Sequence, residues 1–244
     1  MGKRERLDLL LLERQLVESR EAGRRKILAG EVFVNDRAVT KAGSFVELDA
    51  RIRLKPTPRY VSRGGFKLEK ALQEFAISVP GKTALDIGAS TGGFTDCLLA
   101  HGAARVFAVD VGYGQLDWKL RNDPRVVVLE KTNIRHLDRR LLPDDVQLAT
   151  IDASFISLKL ILPCAKALLS ETHEVIALIK PQFEVGKGKV GKGGVVRSAT
   201  EHARVIDEIE TAAVAIGYTS CGVIESPLLG PKGNKEFLLY LSMG

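Results

Sequence analysis

Cysteine is scarce in this 244-residue chain: Cys97, Cys164 and Cys221 stand far apart. An odd count without a short spacing excludes a disulfide framework and a cysteine-held metal centre. The three are expected to be small buried hydrophobes. Histidine is equally sparse. His101, His136, His173 and His202 show no ligand spacing to one another, to a cysteine or to an acid, so no metal is expected. Long apolar runs are missing as well. None approaches the roughly 20 residues needed to span a bilayer. The early stretch "LDLLLLERQL" is short, soon interrupted by charge and followed by no small-residue cleavage site. A signal peptide and a membrane partner are therefore not expected, and the expected location is cytoplasmic. The chain also lacks internal repeats, G-x-G-x-x-G and the Gly-Lys-Ser/Thr of a phosphate-binding loop.

What is present is an ordinary globular composition, 45% apolar and 27% charged, long enough for one large domain and one small one. The net charge of +6 is unevenly spread. Residues 1–60 hold 14 lysines and arginines against 9 acids, and the rest of the chain is almost neutral. A compact basic segment is the footprint of a polyanion partner.

The pattern divides the chain at residue 59. In 1–59, "RLDLLLLERQLVES" carries leucines at helical spacing, and "SREAGRRKILAG" gives a second helix with Ser19 as N-cap and Gly30 at its end. "EVFVND", "AVTKAG" and "FVELDARIRLK" supply short strands, with Asn35-Asp36 as a turn. This is a small α+β unit. "KPTPRYVSRGG", stiffened by Pro56 and Pro58, reads as a linker. In 60–244 apolar runs alternate with helical stretches: "TALDIG", "RVFAVDV", "RVVVLEK", "LATIDAS" and "EVIALIK". Buried parallel strands have this form. "YTSCGVIES" and "EFLLYLSM" follow, joined by a link too short for a crossover helix, so the last strand is expected to run antiparallel. Five parallel strands with an inserted antiparallel one make the α/β, Rossmann-like sheet of the methyltransferase fold.

Ligands of such sheets bind beyond the carboxyl ends of the strands. There "ALDIGASTGGFTDCLL" joins the first strand to a helix. Gly88, Gly92 and Gly93 would let the backbone approach a ligand. Asp86 at the strand end suits a ligand bearing an ammonium, and Asp110, ending the second strand, is placed to accept from ribose hydroxyls. Together they point to S-adenosylmethionine (SAM). Asp152 and Lys180 end two further apolar runs, where unpaired charge is costly. Glu236 opens the last strand, and Lys67 lies on the helix before the first. A Lys-Asp-Lys-Glu set suits methylation of a poor nucleophile such as a ribose 2′-hydroxyl. A lysine can take that proton only when its own proton affinity is lowered, which burial and a second lysine nearby both achieve. Lys180 is the expected base, with Lys67 keeping it neutral. The acids would orient the lysines. "GKGKVGKGGVV" (186–196) is either a solvated loop or a lid with lysines on phosphates. Phe94 and Trp118 are expected in the core.

These motifs carry a resemblance. "SRGGFKL", "LDIGASTGGFTDCLL", "TIDASF", "LIKPQFE" and "NKEFLLYL" resemble, in order, those of the FtsJ-like ribose 2′-O-methyltransferases. "RLD", "SREAGRRKILAGEVFVND" and "LDARIRL" resemble the small RNA-binding domain named after ribosomal protein S-four. The combination is similar to the TlyA family of rRNA methyltransferases, some of which bear the name hemolysin. The resemblance implies a catalytic tetrad of Lys67, Asp152, Lys180 and Glu236. It implies SAM contacts at Asp86, Gly88, Ser90, Gly92, Gly93 and Asp110. Asn133 stands where many FtsJ-like enzymes carry an aspartate near the adenine. RNA contacts are expected from Arg6, Arg20, Arg24, Arg25, Lys26 and Arg63, and the partner is ribosomal RNA or a ribosomal subunit, with cytidine as the methylated nucleotide. Two other readings stand beside this one: a non-catalytic rRNA-binding or assembly factor that keeps the fold, and a membrane-active hemolysin.

Overall fold

Ser19 Oγ accepts from Ala22 N and starts a helix that ends at Gly30, so two residue types fix both ends of one element. At its end Gly30 N donates to Ile27 O and Glu31 N to Lys26 O, with Gly30 at φ +70°. This is a Schellman closure, which needs the left-handed conformation that glycine adopts without strain. The computed structural model describes residues 3–56, 58–186, 190–191 and 193–244. They form two compact units, 1–58 and 59–244.

The first unit contains β1 (Arg4–Arg6), α1 (Leu7–Glu13), α2 (Arg20–Leu28), β2 (Val32–Val34), β3 (Arg37–Val39), β4 (Phe45–Glu47) and β5 (Ile52–Leu54). β2 pairs antiparallel with β3 and β5, and β1 with β4. Asn35 and Asp36, at φ +47° and +64°, make the two-residue turn between β2 and β3. Leu7, Leu10, Leu11, Ile27, Val32 and Val46 form the core. α1 is shorter than the leucine spacing suggests. Gln15 turns left-handed at φ +55°, and Leu16 and Val17 fold back onto the core from a turn instead.

The second unit contains α3 (Gly64–Glu74), β6 (Thr83–Ile87), α4 (Gly93–Ala100), β7 (Arg105–Val109), α5 (Trp118–Arg121), β8 (Val126–Leu129), β9 (Val146–Ile151), α6 (Leu158–Lys166), β10 (His173–Ile179), α7 (Pro181–Glu184), α8 (Ala199–Ala215), β11 (Thr219–Glu225) and β12 (Phe237–Met243). One sheet runs β11-β12-β10-β9-β6-β7-β8. The strands from β6 to β10 are parallel to their neighbours in that group, and β12 is antiparallel to both β10 and β11. Apolar layers cover both faces of the sheet. The chain leaves β6 toward β7 and β8, then crosses back to β9 on its other side. The cleft beyond the carboxyl ends of β6 and β9 is therefore the topological switch point.

Two aromatic residues differ from each other here. Phe94 is buried, but Trp118 is 77% exposed, which overturns the expectation of a core tryptophan. α5 begins at Trp118 and is a single turn, capped by Asp117, with only Leu120 buried. Of the lysine-rich loop, residues 187–189 and 192 lie outside the described residues. Among the described residues, no helix is long and apolar enough to cross a membrane.

Candidate active site

Gly88 follows β6 at φ +85°, and a Cβ there would lie 2.6 Å from the carbonyl oxygen of Asp152. Only glycine lets the ends of β6 and β9 approach this closely. Gly92 is also left-handed, and a Cβ would meet Leu116 and Leu120. Gly93 faces Ser62 and the start of α3. These glycines thus answer first to close packing within the protein. Of the three, Gly88 and Gly93 also line a cavity, and Gly92 lines neither of those described below.

Two cavities open at the switch point. The first, about 410 Å³, is lined by Lys67, Asp152, Lys180 and Glu236, with Arg63 and Phe94 among the other residues of its wall. The second, about 760 Å³, is lined by Ser90, Asp110, Gln115 and Asn133 beside apolar Ile134 and Leu160. Gly88, Ser90, Asp152 and Ser154 line both, so the cavities meet at the ends of β6 and β9.

The four residues of the expected tetrad come together as two ion pairs. Lys67 Nζ donates to Glu236 Oε2 at 2.5 Å, and Lys180 Nζ lies 2.5 Å from Asp152 Oδ1. Lys180 also donates to Ser154 Oγ at 2.9 Å. The expected lysine–lysine partnership is thereby replaced: each lysine has its own carboxylate. Glu236 is buried, and its Oε1 has no hydrogen-bond partner among the described residues. A buried acceptor left open costs free energy unless something donates to it. Lys180 directly follows β10 as the N-cap of α7, and Pro181 starts that helix at a position where a missing N–H does no harm.

Asp110 and Asn133 line the second cavity as side chains already held in place. The Asp110 carboxylate accepts from Ser90 N at 2.8 Å and Gly112 N at 2.7 Å, one bond per oxygen. Each oxygen keeps a second lone pair for a ligand hydroxyl. Asn133 Oδ1 accepts from Arg135 N and caps a short helical turn. A nucleoside, flat and apolar with polar edges, fits such a wall.

Asp86 is placed differently from the sequence expectation. It is fully buried on the α4 side of the sheet and lines neither cavity. Thr95 Oγ1 donates to it at 2.6 Å and Thr150 Oγ1 at 3.0 Å. Burial pushes its carboxyl up to about 6, against the two threonine hydrogen bonds. It ties β6 to α4 and β9, and an ammonium in the cleft does not meet it.

In the first unit, Asp8 is fully buried and accepts from both Arg6 and Arg20. The Arg6 hydrogen bond is the main cause of its carboxyl falling to about 2. Arg6 and Arg20 are thus structural as well as basic. Lys26 pairs with Glu31 at 3.1 Å, and Arg24 lies 3.8 Å from Glu21. Arg25 is exposed. In the second unit Arg63 is exposed at the rim of the first cavity.

Sequence reasoning missed Ser154 and Phe155. Phe155 is 89% exposed at φ +64°, 4.8 Å from the ring of Phe183. A strained, exposed aromatic beside the site has no periodic signature, although "DASF" following an apolar run marked the place.

Comparison with known proteins gives the family. Residues 60–243 match the FtsJ-like methyltransferase model, and residues 5–52 match the S4 domain model. YqxC of Bacillus subtilis, named as an rRNA methyltransferase, is 51% identical over 98% of this chain and 86% of its own. The 16S/23S rRNA (cytidine-2′-O)-methyltransferase TlyA of Mycobacterium tuberculosis is 47% identical over 99% of this chain and 91% of its own. A solved structure from Streptococcus thermophilus, bearing a hemolysin name, superposes with a TM-score of 0.73 at 43% identity, covering 100% of this chain and 90% of that one. The two cavities, the paired lysines and these likenesses together place the chain in the FtsJ-like methyltransferase family, with an S4 domain before the catalytic unit.

Proposed function

We propose that the protein methylates a ribose 2′-hydroxyl of ribosomal RNA, on a cytidine, with SAM as methyl donor, and that it does so in the cytoplasm. The observation that carries this reading is the gathering of Lys67, Asp152, Lys180 and Glu236 around one cavity that adjoins a second lined by Asp110, Gln115 and Asn133. SAM, when bound, supplies a methyl group activated by a sulfonium. Asp110, Ser90, Gln115 and Asn133 would hold its nucleoside, and Gly88 and Gly93 border the backbone it approaches.

The target ribose enters the first cavity. Its hydroxyl is a very weak acid and must lose a proton as it attacks. Lys180, once it has released the ion pair's own proton to solvent, takes the hydroxyl proton as the amine, and Asp152 orients it. Lys67 and Glu236 form the opposite side of the cavity as a pair. Proximity does much of the work, because both reactants meet at the shared wall of the two cavities.

The first unit would hold the rRNA through its phosphates, with Arg20, Arg24, Arg25 and Lys26 on α2 and Arg6 joined to Arg20 through Asp8. Arg63 would meet a phosphate near the target nucleotide. Phosphate contacts position the RNA without reading its sequence.

Transfer of tritium from labelled SAM to purified rRNA and ribosomal subunits tests the reading, followed by mapping of 2′-O-methyl sites in cells with and without the gene. Label at a cytidine 2′-oxygen is the expected result. RNA binding without transfer would make the protein an assembly factor, and vesicle leakage without transfer would revive the hemolysin.

A further inference from the structure

Lys180 Nζ has two acceptors from one short stretch of chain: Asp152 Oδ1 at 2.5 Å and Ser154 Oγ at 2.9 Å. Once deprotonated to act as the base, the Lys180 amine has two N–H groups and one lone pair, set tetrahedrally about nitrogen. One acceptor fixes one N–H and leaves the lone pair two staggered positions about the Cε–Nζ bond. Two acceptors use both N–H groups and fix where the lone pair points.

The stretch is held firmly enough for this to matter. Glu184, on α7 just past Lys180, accepts from Ser157 Oγ at 2.6 Å and from Leu158 N at 2.8 Å. The segment after β10 and the segment after β9 are thus tied at both ends, by Lys180 to Asp152 and Ser154, and by Glu184 to Ser157 and Leu158. Ser154 also borders both cavities, as Asp152 does.

We propose that Ser154 is a positioning residue: together with Asp152 it fixes the rotation of the Lys180 amine, so that the lone pair faces the attacking hydroxyl. The inference rests on the methyl-transfer reading above. Ser154 acts through Lys180, and its own hydroxyl neither gains nor loses a proton in the reaction. A small error in the direction of a base is costly, since misplacement of about 1 Å can slow a reaction roughly 100-fold.

The test is single-turnover transfer from tritiated SAM to whichever of purified 16S rRNA, 23S rRNA or ribosomal subunits the wild-type protein labels. Ser154 is exposed, so removing its hydroxyl leaves the core untouched. Ser154→Ala should lower the rate roughly 10- to 100-fold, while SAM affinity by calorimetry and the RNA concentration giving half-maximal rate stay within about twofold. Ser154→Thr keeps the acceptor and should restore most of the rate. A Ser154→Ala variant at wild-type rate, a Ser154→Thr variant as slow as alanine, or a loss that lies in SAM affinity would each overturn the proposal. If the wild-type protein labels nothing, the methyl-transfer reading falls with it. An active wild type, an inactive Lys180→Ala and a full-rate Ser154→Ala would overturn this inference alone.

Discussion

Gly230 lies against the carboxylate of Glu236: a Cβ built on Gly230 would overlap Oε1 and stand 2.5 Å from Cδ. The backbone there has φ −73°, which any residue adopts, so glycine is required by the carboxylate and not by the turn. Gly230→Ala should push Glu236 aside and disturb its pairing with Lys67. Methyl transfer should fall roughly 10- to 100-fold, with the thermal midpoint little changed. A variant with normal transfer would show that Glu236 tolerates displacement.

Lys180→Ala should lower the single-turnover rate by roughly 10²–10⁴-fold, the range expected for loss of a general base. SAM and RNA affinities should hold, because the lysine acts in the transition state. Transfer by the alanine variant at near-normal rate would remove Lys180 from the base position.

Asp86 gives the second unit a pH-dependent stability. Its carboxyl titrates at about 6 when folded and near the ordinary 3.8 when unfolded. Between these values the native state keeps a proton that the unfolded state has lost. Stability therefore falls as pH rises from about 4 to about 6 and is level above that, by about 3 kcal/mol in all. Asp86→Asn keeps the shape and removes the titration. Urea unfolding across this range should show the wild type weakening relative to the variant. Parallel curves would place the carboxyl in a different state.

Asp8 makes the opposite case, and it decides how RNA binding is tested. Its carboxyl is depressed to about 2, so it stabilises the first unit above pH 4 and that contribution is lost as pH falls toward 2. Substituting Arg6 or Arg20 leaves Asp8 buried with fewer donors and disturbs folding as well as charge. Arg24→Ala and Arg25→Ala avoid this, because both side chains are exposed. Each should flatten the salt dependence of rRNA binding by roughly 0.7–0.9 in log–log slope if it meets one phosphate. An unchanged slope would mean that α2 faces solvent in the complex.

Much of the site could be read from the sequence because charge at the end of an apolar run is conspicuous: Asp152 and Lys180 stood out for that reason. The direction of Asp86 could not be read. β6 is buried on both faces, so alternation carries no inside–outside signal. The pairing was also hidden. Lys67 and Glu236 are 169 residues apart, and only the insertion of β12 between β10 and β11 brings the acid to its lysine. In the first unit, caps and turns were legible from Ser19, Gly30 and Asn35-Asp36. The early end of α1 was not, because it depends on Leu16 and Val17 finding the core from outside the helix.

The place of β12 links the closing of the sheet to the Lys67–Glu236 pair. β10 and β11 have no direct pairing and share β12 as their neighbour, so the sheet stays divided until residues 237–243 enter the gap. Glu236 directly precedes that strand and arrives with it. With β12 out of its slot, Lys67 would lose its acid and β10 its antiparallel neighbour. Seating β12 in the sheet and bringing Glu236 to Lys67 are therefore one structural event.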